Sequence, residues 1–392
     1  MDDLEENDNE IISEKKPKKH RLRHFLVFLL ILAGVLGVVV AAAYRDGTGF
    51  DVLRRFFAYG SAEKGSDEVS YTYDTSAENR FAALGDRLVV LSNTELQILD
   101  GKGGVVWSTP VSMTSPALVS GGDCAVAYDV GGTQLFVVNQ DGVLLTLKAE
   151  ETEPYISATL NQKGWLAITA EKKNYKGCVS VYSDQMKKVF DFNSSQRFVT
   201  DAYVTDDCKD LAAVTLGQED SVFVSNIVLY DLSETDPYAN YNVENGLVLA
   251  IGEQSAQLAT VSDSCLTFGK VSGKVGATYD YSNEYLREYS LDGENYAALL
   301  LGRYQSGSVG RLVTVGADGK EIASLDVNDE VRGMSAAGRY IAVLYADSLV
   351  IYSQDLQEYA SLKGTDYAKS VLMRADGSAL LIASDSAELF LP

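Results

Sequence analysis

The chain has two histidines, His20 and His24, and both precede its one long apolar stretch. Everything after Tyr44 therefore lacks imidazole. Ser-His-Asp and Cys-His nucleophiles, His-ligated zinc or copper and His-held haem are excluded there. Cys124, Cys178, Cys208 and Cys265 form no Cys-x-x-Cys and no vicinal pair, so buried free thiols are the expectation. Carboxylate chemistry survives: 55 Asp and Glu stand against 33 Lys and Arg, and two acids at a defined separation hydrolyse glycosides. No acid pair is marked by its spacing. The Asp-Gly steps at Asp100, Asp141, Asp292, Asp318 and Asp376 fall between apolar runs, outside any Asp-x-Asp-x-Asp-Gly loop. They read as hairpin turns, not as calcium ligands. No catalytic residue, cofactor site or metal site is expected.

Charge and hydropathy divide the chain. From Phe25 to Ala43 run 19 apolar or glycine residues without a charge, roughly 28 Å as a helix and enough to cross a bilayer. Lys15, Lys16, Lys18, Lys19, Arg21 and Arg23 stand just before it and predict a cytoplasmic N-terminus with all later residues outside. The run is longer than a cleaved signal peptide's core, so an uncleaved anchor is expected. Four parts follow: a disordered tail over 1–24, a transmembrane helix over 25–44 (Phe25 to Tyr44), a juxtamembrane stalk over 45–68, and the extracytoplasmic remainder, 69–392. Ala33, Gly37 and Ala41 form a small-xxx-small face that could pair two helices; dimerisation through it is the minor reading. The formal net charge of −22 argues against nucleic acid as a partner.

The remainder repeats one short phrase eight times: an apolar run, a turn, and a second apolar run. The first runs begin at Leu88, Ala125, Leu166, Leu211, Leu258, Ala297, Ile341 and Leu380. A period near 40 residues made only of strand-like pieces predicts a β-propeller, one four-stranded blade per repeat. Outer strands follow in seven repeats; the eighth stops at Pro392 after its third. Val69-Ser-Tyr-Thr-Tyr73, just before the first blade, can fill that gap and close the ring. Val69, Tyr71 and Tyr73 are thus assigned to ring closure, and this accounting favours eight blades over seven. The fold class is all-β: a propeller closed by an N-terminal strand and preceded by one transmembrane helix.

The stretch Leu96-Gln-Ile-Leu-Asp-Gly-Lys-Gly-Gly-Val-Val-Trp107 resembles the repeat of pyrroloquinoline-quinone-like propellers, which include quinoprotein dehydrogenases and the lipoprotein scaffold of outer-membrane assembly. Trp165 does not occupy the matching place in its repeat, the docking Trp is absent from the other seven blades, and the vicinal cysteines of quinone enzymes are missing. The resemblance therefore implies the fold and no quinone. As a layout, acidic tail, basic stretch, helix and Tyr-rich ring, the chain is similar to an uncharacterised family of single-pass, membrane-anchored propellers from Gram-positive anaerobes. That family brings no activity with it.

In a propeller, the turns between second and third strands share a face with the connections between blades. The expected loops on it are 171–176, 217–220 and 303–308, with connections near 283–285, 329–330 and 366–367. Lys172, Lys173 and Lys176 make a basic spot there, and Tyr175, Tyr285, Tyr304 and Tyr367 offer amphipathic contact surface. The functional expectation is a non-enzymatic scaffold of the cell envelope, anchored in the cytoplasmic membrane, that recruits a protein or glycan partner on this face. The alternative is a carboxylate-dependent glycan hydrolase or lyase. A sensor signalling through the helix is disfavoured by the short inner tail.

Overall fold

The computed structural model describes residues 27–35, 51, 55, 70–219, 221–243 and 246–392. The chain divides into two units, 1–57 and 58–392. In the first, residues 27–35 are helical, with exposed apolar side chains such as Phe28 and Leu30. The rest of the apolar segment, including Gly37 and Ala41, lies outside the described residues, as do Val69 and all of the stalk except residues 51 and 55. Among the described residues no helix is long and apolar enough to cross a membrane.

The second unit is an eight-bladed β-propeller. Its strands form eight four-stranded antiparallel sheets, seven of them meanders of consecutive strands. Blade 1 comprises Arg80–Leu84, Arg87–Leu91, Glu95–Leu99 and Val105–Pro110, counted from the inner strand to the outer. Blades 2 to 7 span residues 116–148, 155–193, 198–243, 248–280, 285–327 and 331–363. Blade 8 takes three strands from 370–390 and its outer strand, Ser70–Thr72, from the other end of the ring. Neighbouring inner strands meet around the ring, and Ser370–Met373 returns to Arg80–Leu84.

The second strands explain why the repeats show no apolar alternation. In blade 1, Val89 and Leu91 pack towards blade 2, whereas Leu88 and Val90 pack towards blade 8. Both faces of a blade are covered, so the strand's buried side chains on both faces are predominantly apolar. One hydrophobic cluster fills each of the eight blade junctions, the closing one included.

At the closure Ser70, Tyr71 and Thr72 pair with Glu388, Ala387 and Ser386. Tyr71 is fully buried; its hydroxyl donates to the Asp86 carbonyl at 2.8 Å and accepts from Arg374 Nη2 at 3.3 Å. The Tyr73 hydroxyl donates to the carbonyl of Ser386, and its ring lies 5.0 Å from that of Phe81. The Asp100 turn backs onto this strand. Asp100 Oδ1 accepts the amides of Lys102 and Gly104, which hold its carboxyl below the usual range. Gly103 sits at φ +78°, where a Cβ would stand 2.6 Å from the Ser70 carbonyl oxygen. Gly103→Ala therefore combines left-handed strain with a backbone clash against the closing strand. We expect a loss on the order of 2 kcal/mol, read as a lower urea midpoint with an unchanged slope.

All four cysteines are free thiols; Cys265 is buried and the other three are partly exposed. Cys208 is placed not in a strand but in the turn after the inner strand of blade 4, at φ +63°.

Candidate functional site

Two regions carry chemistry: the loop face and the central channel. On the loop face, Lys172 Nζ binds Glu153 Oε2 at 2.7 Å and holds that carboxyl below its ordinary range. Lys173 lends its amide to the same carboxylate. Lys176 Nζ lies 4.3 Å above the Phe198 ring, an arrangement that favours the cation over the ring's negative face. Tyr175, Tyr285, Tyr304 and Tyr367 are 42–60% exposed. They are spread over the ring: Tyr175 in blade 3, Tyr285 and Tyr304 in blade 6, and Tyr367 before blade 8, bound to Glu388 Oε2 at 2.7 Å. They share a face without forming one site.

The expected loop at 217–220 is instead strand up to Glu219. In blade 4 the second and third strands, Asp210–Glu219 and Val222–Asp231, have ten residues each, against four to seven in the other blades. Their pairing runs out to Glu219 opposite Val222. Pairing with the inner strand ends at Leu216, and with the outer strand at Ser225. Beyond those points a two-stranded ribbon extends, its backbone edges paired with no other strand among the described residues, with the Arg197 side chain lying against Gly217 and bound to Glu219. The ribbon carries Val222 and Phe223 (62% exposed), and Phe198 (56%) and Leu249 (54%) are exposed on the inner strands of blades 4 and 5. Lys176, singled out by sequence, lies over Phe198 on the inner strand of this blade; the ribbon itself was not foreseen. The available signal was Ser-Val-Phe-Val-Ser, an alternating run that continues a strand.

The channel holds a cavity of about 490 Å³ between blades 2 and 6, lined among others by Tyr128, Ser157, Asp201, Leu249, Tyr289 and Asp292. Sequence reasoning named none of these as site residues. Asp201 follows a β-bulge in its inner strand and accepts Ser157 Oγ at 2.8 Å and its neighbour's amide, Ala202 N–H, at 2.9 Å. Burial nevertheless pushes its carboxyl up to about 6. Asp292 is likewise raised by burial, against the Ser290 hydroxyl that steadies it. The Tyr289 phenol is raised first by burial and then by both carboxylates. Asp201 and Glu288 are the residues just after the bulge in blades 4 and 6. Asp292 lies beyond the end of the blade 6 inner strand, in its connection to the second strand, and lines the same cavity as Asp201.

Residues 61–387 match the family of unknown function DUF5711. The chain belongs to that family. No curated protein matches this DUF5711 sequence. Among solved structures it is similar to the computationally designed Ika8 protein, with a TM-score of 0.59 and 12% identity over 84% of this chain and all of that one. The C-terminal WD40 domain of Sif2 gives 0.58 and 13% over 85% and 100%. BamB from Moraxella catarrhalis gives 0.51 and 11% over 83% and 98%. At such identities the likeness establishes the propeller fold alone.

Proposed function

We propose that this DUF5711 chain is a non-enzymatic scaffold that holds a protein partner on the loop face of its propeller. The blade 4 ribbon carries the reading: among the described residues its backbone edges pair with no other strand, and Val222 and Phe223 on it are exposed, as is Phe198 on the inner strand. Such edges accept an extended segment by strand addition, while adjacent apolar side chains select its residues. Lys176, over the Phe198 ring, adds positive charge there and favours an acidic flank on the partner.

The proposal places the ring on the extracytoplasmic side of the cytoplasmic membrane, held by the segment from Phe25 to Tyr44. The uncharged apolar run, the preceding Lys/Arg cluster and the exposed apolar helix over 27–35 support that placement. Scaffold and hydrolase differ in one assay. Purified full-length chain incubated with cell-wall glycan is expected to release no more reducing ends than its Asp201→Asn variant. Sustained release that the substitution abolishes would replace the scaffold with the enzyme.

A further inference from the structure

Between blades 6 and 7 the loop face opens into a cavity of about 520 Å³, lined by residues that include Arg287, Glu288, Ser308, Glu330 and Val331. Arg287 is the extra residue of the inner-strand bulge in blade 6, between Leu286 and Glu288. Arg332 holds the same position in blade 7, between Val331 and Gly333. The two arginines are used differently. Arg332 donates to the carbonyls of Asp366 at 2.8 Å and Ala368 at 3.2 Å, which stitches blade 7 to the connection entering blade 8. Arg311, also in blade 6, is held by Glu284 and Glu321.

Arg287 has no such engagement. Its hydrogen bond goes to the Tyr304 carbonyl at 3.3 Å, and no carboxylate pairs with it among the described residues. Gly302 accommodates the side chain: a Cβ there would stand 2.2 Å from Arg287 Nε, so only glycine lets the guanidinium lie across the second strand. Of the two acids in the cavity, Glu288 is committed to the fold. Burial raises its carboxyl, and the Met334 amide donates to it. Glu330 is exposed and pairs with no cation among the described residues. One uncommitted guanidinium and one uncommitted carboxylate therefore line the same cavity, with Val331 supplying apolar surface.

We infer that this cavity binds a free α-amino acid, its carboxylate on Arg287 and its ammonium near Glu330. Arginine's planar fork suits a carboxylate in two parallel hydrogen bonds, and a small zwitterion answers both charges at once. The site is separate from the blade 4 ribbon, so it stands or falls independently of the scaffold reading.

Isothermal titration of the full-length chain against each of the common α-amino acids tests this. At least one binds at millimolar concentration, and Arg287→Gln and Glu330→Gln each weaken it about tenfold or more. Its deaminated and decarboxylated analogues bind the unaltered chain correspondingly less well. Both substituted side chains are exposed, so unchanged thermal midpoints are expected and confirm that the fold is kept. The inference is overturned if no amino acid binds, or if binding ignores both substitutions. It is equally overturned if the deaminated analogue binds as tightly and ignores Glu330→Gln, which would leave a plain carboxylate site.

Discussion

Replacing Tyr71 by alanine is expected to lower the stability of the ring by about 4 kcal/mol. The ring of Tyr71 is fully buried in the cluster that joins blade 8 to blade 1, against Leu88, Val90, Leu380 and Leu389. Removing a buried aromatic side chain leaves a cavity as well as losing its burial. Here the cavity lies beneath a closing strand only three residues long, Ser70–Thr72. The hydroxyl is the smaller part. Tyr71→Phe gives up the bond to the Asp86 carbonyl and is expected to cost about 1 kcal/mol. Domain stabilities run from about 5 to 15 kcal/mol, so the alanine variant should sit close to its unfolding threshold. Urea titration of the two variants beside the unaltered chain reads both numbers. A loss below about 1 kcal/mol for Tyr71→Ala would mean that the seam does not hold the ring.

The second large effect depends on pH. Asp201 has its carboxyl pushed up to about 6 by burial, against an ordinary value of 3.8. Below pH 4 the group is protonated in both folded and unfolded chains, and it adds no pH dependence. Between pH 4 and pH 6 the unfolded chain releases its proton and the folded chain keeps it, so stability falls as pH rises. Above pH 6 both are ionised and the penalty is constant. A difference of roughly two units corresponds to about 3 kcal/mol. Asp201→Asn keeps an acceptor for Ser157 Oγ and removes the charge. The variant should therefore match the unaltered chain near pH 4 and exceed its stability by up to about 3 kcal/mol at pH 7.5. Urea midpoints at those two pH values decide it. Parallel pH profiles would show that Asp201 is well solvated in the channel.

Both residues show how far the sequence could be read. The eight repeats were legible because each second strand is covered on both faces, which leaves an uninterrupted apolar run such as Leu88-Val-Val-Leu. The closing strand was legible by accounting: seven outer strands for eight blades, and Ser-Tyr-Thr waiting before the first. The bulges were not. An extra residue such as Thr200, Leu249, Arg287 or Arg332 satisfies the same strand pattern as a regular one, yet it shifts the register that sets which side chain enters the channel. Asp201 was therefore one acid among many, although an acid inside Phe-Val-Thr-Asp-Ala-Tyr-Val was the mark of something unusual. The ribbon of blade 4 was lost to composition, since Gly217-Gln-Glu reads as a turn and is held in strand by its pairing with Val222-Phe-Val. The loop-face residues Lys172, Tyr175 and Tyr304 could be assigned a face and not a common site, because nothing in a repeat states which blades lie opposite.

The account rests on one face of the ring being the face that binds. A photoreactive amino acid placed in the full chain at Phe223, at Tyr175, or at Lys102 and Lys320 in turns on the opposite face tests that in intact cells. Illumination should give a discrete cross-linked species from Phe223 and Tyr175, and none from Lys102 or Lys320. The same species from all four positions, or from the opposite face alone, would contradict it.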